Sequence, residues 1–234
     1  MEDMYRVAEA VVAARGKDVV GKADFALQSS GASVVPSLTS PTLGLRMCGL
    51  RAAFVAWVTG KDYTNISSRP PIHALHHDTH SGYCWCFPGE EGQLGVQLAH
   101  TVHIEEVTVD HLALELAWDM RSAPRTMELW GLVEGHKNEQ KLHSWEETHR
   151  RERQTLSEGS KPFTGSKSSN YIRVASFEYN IAAHNPVQTF PVSEDVRKLG
   201  IPFRVVIFRV VGNWGHDHTC LFRVRVHGQK DSVR

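Results

Sequence analysis

The sequence predicts an all-β sandwich on three observations. Short β-rich runs recur from Asp24 onward, turn-forming residues separate them, and the two most apolar runs, 93–98 and 204–211, suit central strands. With 234 residues, 41% of them hydrophobic, the chain can bury the core of one domain and carry a short appended segment.

The elements follow in chain order. Met4, Val7, Ala8, Val11 and Val12 recur at helical spacing, with no Gly or Pro before Gly16, so residues 3–15 are expected to form a short amphipathic helix. Such a helix is marginal alone and must pack on the domain or on copies of itself. We therefore divide the chain into an N-terminal helical segment, 1–22, and one globular domain, 23–230. Strands are expected over 32–35, 92–98, 107–109, 126–133, 171–179, 189–192, 203–211 and 220–227. In the last of these, Leu221, Val224 and Val226 mix with Arg223 and Arg225 as in a half-exposed strand.

Two segments exceed a minimal sandwich. Residues 42–71 carry Leu43, Leu45, Met47, Leu50, Phe54, Val55, Trp57 and Val58 between turn-forming ends. A segment this apolar either packs down or offers its apolar side to a partner. Residues 136–169 are charged and poor in apolar side chains, which predicts a solvated insertion with a helical turn near 144–153.

Charge narrows the function. Lys and Arg number 26 and so do Asp and Glu, giving a formal net charge of zero, which argues against a chain built to ride on nucleic acid or anionic lipid. Fourteen histidines make the charge turn positive as pH falls. No stretch approaches the ~18 apolar residues of a membrane span, and the start Met1-Glu2-Asp3 lacks the pattern of a signal peptide. Any membrane anchor is thus expected in segments not in this chain. Four cysteines, Cys48, Cys84, Cys86 and Cys220, do not by themselves choose a redox compartment.

The densest chemical cluster is His73, His76, His77, Asp78 and His80, followed by Cys84 and Cys86. Imidazole and thiolate are zinc ligands, but structural zinc usually takes two separated ligand pairs, and the second pair is missing. A tight loop here could instead hold a monovalent cation through inward-facing carbonyl oxygens. No serine stands in a strained Gly-x-Ser-x-Gly elbow, phosphate-cradling glycine loops are absent, and the adjacent pairs Glu105-Glu106 and Glu146-Glu147 point to different faces. No enzyme is expected. Asn65-Ile66-Ser67 is a glycosylation sequon, relevant only in a lumenal compartment.

Residues 213–228 (NWGHDHTCLFRVRVHG) resemble the C-terminal signature of SUN domains. Residues 24–33 (DFALQSSGAS), 82–87 (GYCWCF) and 121–124 (RSAP) match the same family in order, so the resemblance covers roughly 24–228. The charged insertion, the loop 73–77 and residues 185–191 (NPVQTFP) look most like the fungal branch. The resemblance implies a jelly-roll-like sandwich in the perinuclear lumen, continuous with that of the endoplasmic reticulum. There such domains bind the C-terminal tails of KASH proteins of the outer nuclear membrane and couple nucleoskeleton to cytoskeleton. It also implies a homotrimer, helped by a preceding coiled coil, with the parent protein in the inner nuclear membrane.

By the same resemblance, the apolar segment at about 42–62 is the KASH lid, a hairpin carrying Leu45, Met47, Phe54 and Trp57 that adds a strand from the peptide to its edge. Cys84 and Cys220 match a disulfide closing a cation loop at about 73–84. That loop would hold K+ or Na+ through backbone oxygens of His73, His76, Asp78, Tyr83 and Phe222. His111, Ser122, His218, Phe222 and Arg223 match the pocket for the terminal carboxylate of the tail, Arg223 as a structural arginine beside it, and Gly92 matches a turn glycine. Cys48 and Cys86 are left as buried free thiols. His218 and Phe222 stand where animal members carry two tyrosines, and Phe222 donates no hydrogen bond. A protonated His218 would supply charge in their place and make binding depend on pH. Thr39 occupies a position from which some members bridge covalently to the peptide, so no covalent link is expected. The alternative is a sandwich of the endoplasmic-reticulum lumen that binds a glycan or a membrane-protein client.

Overall fold

In the computed structural model, which describes residues 20–44, 68–117, 119–148 and 171–231, the longest strand joins two runs that the sequence suggests as separate. We number the strands β1 (Ser33–Val34), β2 (Trp85–Pro88), β3 (Gly92–Asp110), β4 (Pro124–Leu132), β5 (Tyr171–Glu178), β6 (Val187–Pro191), β7 (Phe203–Asn213), β8 (His218–Leu221) and β9 (Arg223–Lys230). The 19-residue β3 changes partners along its length. Its first half pairs with β1 and with β7, Leu94 opposite Phe208. After an irregularity between Gln97 and Val102, its second half pairs with β6 and β9, Val109 opposite Val224. A register break of this kind bends a strand, which lets one strand serve both parts of a sandwich.

All pairings are antiparallel, in the order β1-β3-β7-β4-β5, with β6 and β9 on the far half of β3 and a separate ribbon of β2 and β8. One apolar cluster joins the parts. Leu94 and Val96 of β3, Met127 and Leu129 of β4, Phe208 of β7 and Val226 of β9 are all buried in it. At ~25 cal/mol per Å² of apolar area, burial on this scale is the main term opposing chain entropy.

Several expectations change here. β2 goes unpredicted, because four residues with two cysteines give little strand signal. The insertion is not wholly solvated: its helix, α1 (His136–Thr148), begins eight residues before the expected turn, buries Leu142 and rests Trp145 against the core. A second helix, α2 (Glu194–Lys198), buries Val196 and joins β6 to β7. Arg223 and Arg225 are buried, not half-exposed, for a reason given below. The helix expected over 3–15 lies outside the described residues.

Glycine marks close backbone approaches. A Cβ on Gly228 of β9 would lie 2.1 Å from the His103 carbonyl oxygen and 3.0 Å from Ile104 Cα on β3. Backbone cannot swing aside as a side chain can, so Gly228→Ala is expected to cost about 1–3 kcal/mol. Urea midpoints check this against Gly212→Ala, whose Cβ meets nothing within 4 Å and which should cost far less.

Candidate functional site

The ribbon of β2 and β8 has two unlike faces because strand side chains alternate. Trp85, Phe87 and Leu221 point into the main core. Cys86 and Cys220 lie opposite each other on the other face and, with Cys84 and Phe222, form a second small cluster against Leu43 and Leu112. Gly92 is needed beside this ribbon, since a Cβ there would lie 2.4 Å from the Phe87 ring.

The disulfide joins Cys86 to Cys220, which corrects the pairing of Cys84 with Cys220 expected from the resemblance. The register explains it: Cys86 is the direct cross-strand neighbour of Cys220, with Cα atoms 4.1 Å apart, and Cys84 stands one pleat repeat away. Cys84 is the buried free thiol, and Cys86 is not. Burial pushes the Cys84 thiol up to about 11.

Both flanks of the apolar segment are tied to this same ribbon. The Leu43 N–H donates to the Cys86 carbonyl (2.8 Å), the Cys86 N–H donates to Ser68 Oγ (3.2 Å), and the Arg69 N–H donates to the Cys84 carbonyl (3.0 Å). Trp85 Nε1 donates to Thr42 Oγ1. Leu45, Met47, Phe54 and Trp57 themselves, with Cys48 and Asn65, lie outside the described residues. Thr39 is a structural hydroxyl, donating to the Val35 carbonyl and accepting from the Gly95 N–H.

His111 and Phe222 come together at the end of β3, their rings edge to face at 4.6 Å. His111 is buried, Nδ1 lies 3.4 Å from the Leu112 carbonyl oxygen, and Nε2 is buried with no hydrogen bond. Desolvation lowers its pKa to about 4. The unfolded chain, with its histidine near 6.5, therefore takes up a proton that the folded chain refuses between pH 6.5 and 4. Stability is expected to fall as pH drops through that window, by at most about 3 kcal/mol, and to level off below it. Urea midpoints across the window check this, and His111→Gln should flatten the slope.

Ser122 ends a helical turn, Met120–Ser122, that packs against β8, and its hydroxyl donates to the Asp119 carbonyl (3.3 Å). His218 opens β8, buried, with Nδ1 2.9 Å from Asp217 Oδ1. Burial is the main cause that lowers its pKa, with His216 adding to it and Asp217 opposing, so protonation of His218 at neutral pH is disfavoured. Arg223 turns away from this group: Nη2 donates to Asp24 (2.9 Å) and Nη1 lies 3.8 Å from Asp110.

The loop 73–84 begins in the turn Pro71–Leu75 and is closed by bonds from the His76 N–H to the His73 carbonyl and from the Tyr83 N–H to the His80 carbonyl. Its rings stack in sequence, His73 on His76 and His76 on His77, while Asp78 pairs with His80 and Arg69 lies over Tyr83. The His73 pKa is lowered by burial first, then by His76 and Arg69, which favours the neutral imidazole.

Sequence reasoning missed two features. Asp24, matched only as part of a motif, holds Arg223, and Asn213 organises the loop between β7 and β8. Each is a buried or part-buried polar side chain with several partners, and their place among motif residues was the available signal.

Comparison with known proteins agrees with this architecture. A 28% identical relative, SUN domain-containing protein 3 of Bos taurus, aligns over 230 residues, 97% of this chain and 52% of its own length. Sperm-associated antigen 4 protein of Homo sapiens is 30% identical over 97% of this chain and 43% of its own length. The chain thus spans about half the length of these relatives. Among solved structures, CBM32-3 from a family 31 glycoside hydrolase of Clostridium perfringens superposes with a TM-score of 0.50 at 7% identity, over 88% of this chain and 96% of that one, a likeness of fold alone. The family described as Sad1/UNC-like C-terminal matches residues 64–163 and 162–230, and the chain belongs to it: this is a SUN domain.

Proposed function

We propose that this domain binds the C-terminal tail of a KASH-type outer nuclear membrane protein in the perinuclear space, within a bridge between nucleoskeleton and cytoskeleton. One observation carries the reading. Both roots of the apolar segment 45–67 are hydrogen-bonded to β2, whose outer face clusters with Phe222 beside the His111 ring, and we take this cluster as the apolar side of the pocket. A hairpin rooted there can add an extended peptide as a strand and deliver its end beside Ser122 and His218. The buried, neutral His111 and the aromatic Phe222 suit an apolar residue near the tail's end better than a hydrogen-bonded carboxylate. A homotrimer, and K+ or Na+ held by backbone oxygens of the loop 73–84, belong to the same reading. The lowered His73 pKa disfavours a positive charge beside such an ion.

Fluorescence anisotropy with a labelled KASH-tail peptide tests it. Binding is expected for the intact chain and is expected to be lost when residues 45–67 are replaced by a Gly-Ser linker. Binding unaffected by that replacement would sink the proposal. Among the described exposed large hydrophobic residues Tyr83 is the single aromatic, and it lies under Arg69, so the described residues offer no exposed aromatic platform that favours a glycan.

A further inference from the structure

The loop between β7 and β8 brings His216, Asp217 and His218 together outside the apolar part of the pocket. Nδ1 of His216 lies 2.8 Å and Nδ1 of His218 lies 2.9 Å from Asp217 Oδ1, and one ligand atom from each residue falls within 4.8 Å of the others. Donors bound to one ion at ~2.0–2.2 Å stand about 3–3.5 Å from one another, so modest side-chain rotation suffices to close this set around a metal. We infer that His216, Asp217 and His218 form a binding site for one zinc-class divalent cation.

A plain hydrogen-bonded His-Asp-His cluster is the competing account, and it leaves one atom unexplained. His216 Nδ1 is buried and makes no hydrogen bond, although it lies within ion-pair distance, 2.8 Å, of the Asp217 carboxylate. A buried polar atom without a hydrogen bond is costly, and a metal ion bound at that nitrogen supplies a partner. On the far side of the same ring, Nε2 of His216 stands 3.8 Å from Asp119 Oδ2, longer than a hydrogen bond but on the side from which a carboxylate can orient a metal-binding imidazole. Asp119 is itself held by the Arg121 backbone N–H (2.8 Å) and guanidinium (2.6 Å).

The backbone of the site is fixed by one side chain. Asn213, buried, accepts from the Gly215 and His216 N–H groups through Oδ1 and donates through Nδ2 to the carbonyls of His216 and His218 and to Thr219 Oγ1. The Gly89 N–H donates to the Asp217 carbonyl (2.9 Å). Both imidazoles are therefore carried on a backbone that is ordered before any ion arrives, which is the arrangement a metal site requires. Two imidazole nitrogens and one carboxylate favour zinc-class ions over magnesium or calcium, which prefer all-oxygen shells. Three protein ligands leave a position open for water or for a carboxylate from a partner.

The inference is tested by titrating zinc chloride into the untagged, disulfide-bonded full chain by isothermal calorimetry. One zinc per chain is expected, with His216→Gln and His218→Gln each weakening it by more than about tenfold. Cys84→Ser should leave affinity unchanged, and magnesium chloride should give no binding heat. Because His218 is buried, each variant is checked by circular dichroism; His216→Gln, at the more exposed position, keeps the test decisive if His218→Gln does not fold. Cobalt(II) in place of zinc should show ligand-field bands without thiolate charge transfer. The inference is overturned if the intact chain binds no zinc. It is overturned equally if zinc survives both glutamine substitutions, as binding through His73, His76, His77 and His80 would, or disappears with Cys84→Ser.

Discussion

Replacing Cys220 by serine is expected to lower the unfolding free energy by about 4–5 kcal/mol. The Cys86–Cys220 bridge spans 134 residues, and in the chain-entropy account a loop of that length restricts the unfolded chain by close to the maximum seen for natural disulfides. The three cysteines should not behave alike. Cys84→Ser removes a buried thiol with no covalent role and should cost less than about 1 kcal/mol. Cys86→Ser should fall between the two. Cys84 lies on the same face of the strand path, its Sγ is 3.6 Å from that of Cys86, and all three sulfurs lie within 4.8 Å of one another, so Cys84 is within reach of Cys220 once Cys86 is gone. Urea unfolding under non-reducing conditions measures the order, and peptide mapping of Cys86→Ser should find Cys84 linked to Cys220. Equal losses for Cys86→Ser and Cys220→Ser, with Cys84 still free, would overturn the replacement. In the native protein the exchange is held back by chemistry. With its thiol raised to about 11, Cys84 is almost entirely protonated near neutrality, and its attack on the bridge should accelerate about tenfold per pH unit through the alkaline range.

That result also shows where the sequence is legible. The strands with clear apolar runs, β4, β5 and β7, sit within a residue or two of their expected ranges, because alternation and turn residues record burial directly. The motif at 213–228 identified the family correctly. The disulfide partner was not legible: Cys84 and Cys86 occupy the same face two residues apart, and only the register between β2 and β8 chooses between them. β3 reads as two strands because polar residues from Ala99 to Glu106 interrupt the apolar pattern while the backbone continues across its register irregularities. The start of α1 is hidden in the sequence because its apolar contacts, Leu142 and Trp145, are few against a charged background. The residues of the proposed pocket stand out in the sequence only as members of a motif, and their electrostatics do not show there at all. Lowered His111 and His218 pKa values depend on burial, which no local pattern announces.

The same limit explains the misread arginines of β9 and leads to the second large effect. Alternating Arg and Val suggests a strand with one wet face, but Arg223 and Arg225 are both buried. They are tolerated because two buried carboxylates meet them. Nε of Arg225 donates to both Asp110 oxygens (2.9 and 3.0 Å), a bidentate pairing that its Nη2 completes, and Arg223 is shared between Asp24 and Asp110. Two negative and two positive charges balance, so desolvation is offset only while all four remain. Asp24 extends the network to the chain entering the domain, accepting from the Ala26 N–H (2.9 Å). Asp110→Asn is therefore expected to cost about 3–5 kcal/mol, because it leaves two arginines buried against one carboxylate. Arg225→Met should cost a similar amount by stranding Asp110. The double variant should lose markedly less than the sum of the two, since it removes both charges and fills the space with an apolar chain. A double-mutant cycle in urea checks this, and strict additivity would overturn the account. The loss should also reach the pocket. Asp110 and Arg223 face each other in register, next in sequence to His111 and Phe222, so the network fixes the two strand ends from which that ring pair projects. Asp110→Asn should accordingly weaken the proposed tail binding at temperatures where the domain is still folded, whereas Gly228→Ala, which strains β9 near its far end against Ile104 of β3, should reduce stability and leave that binding intact.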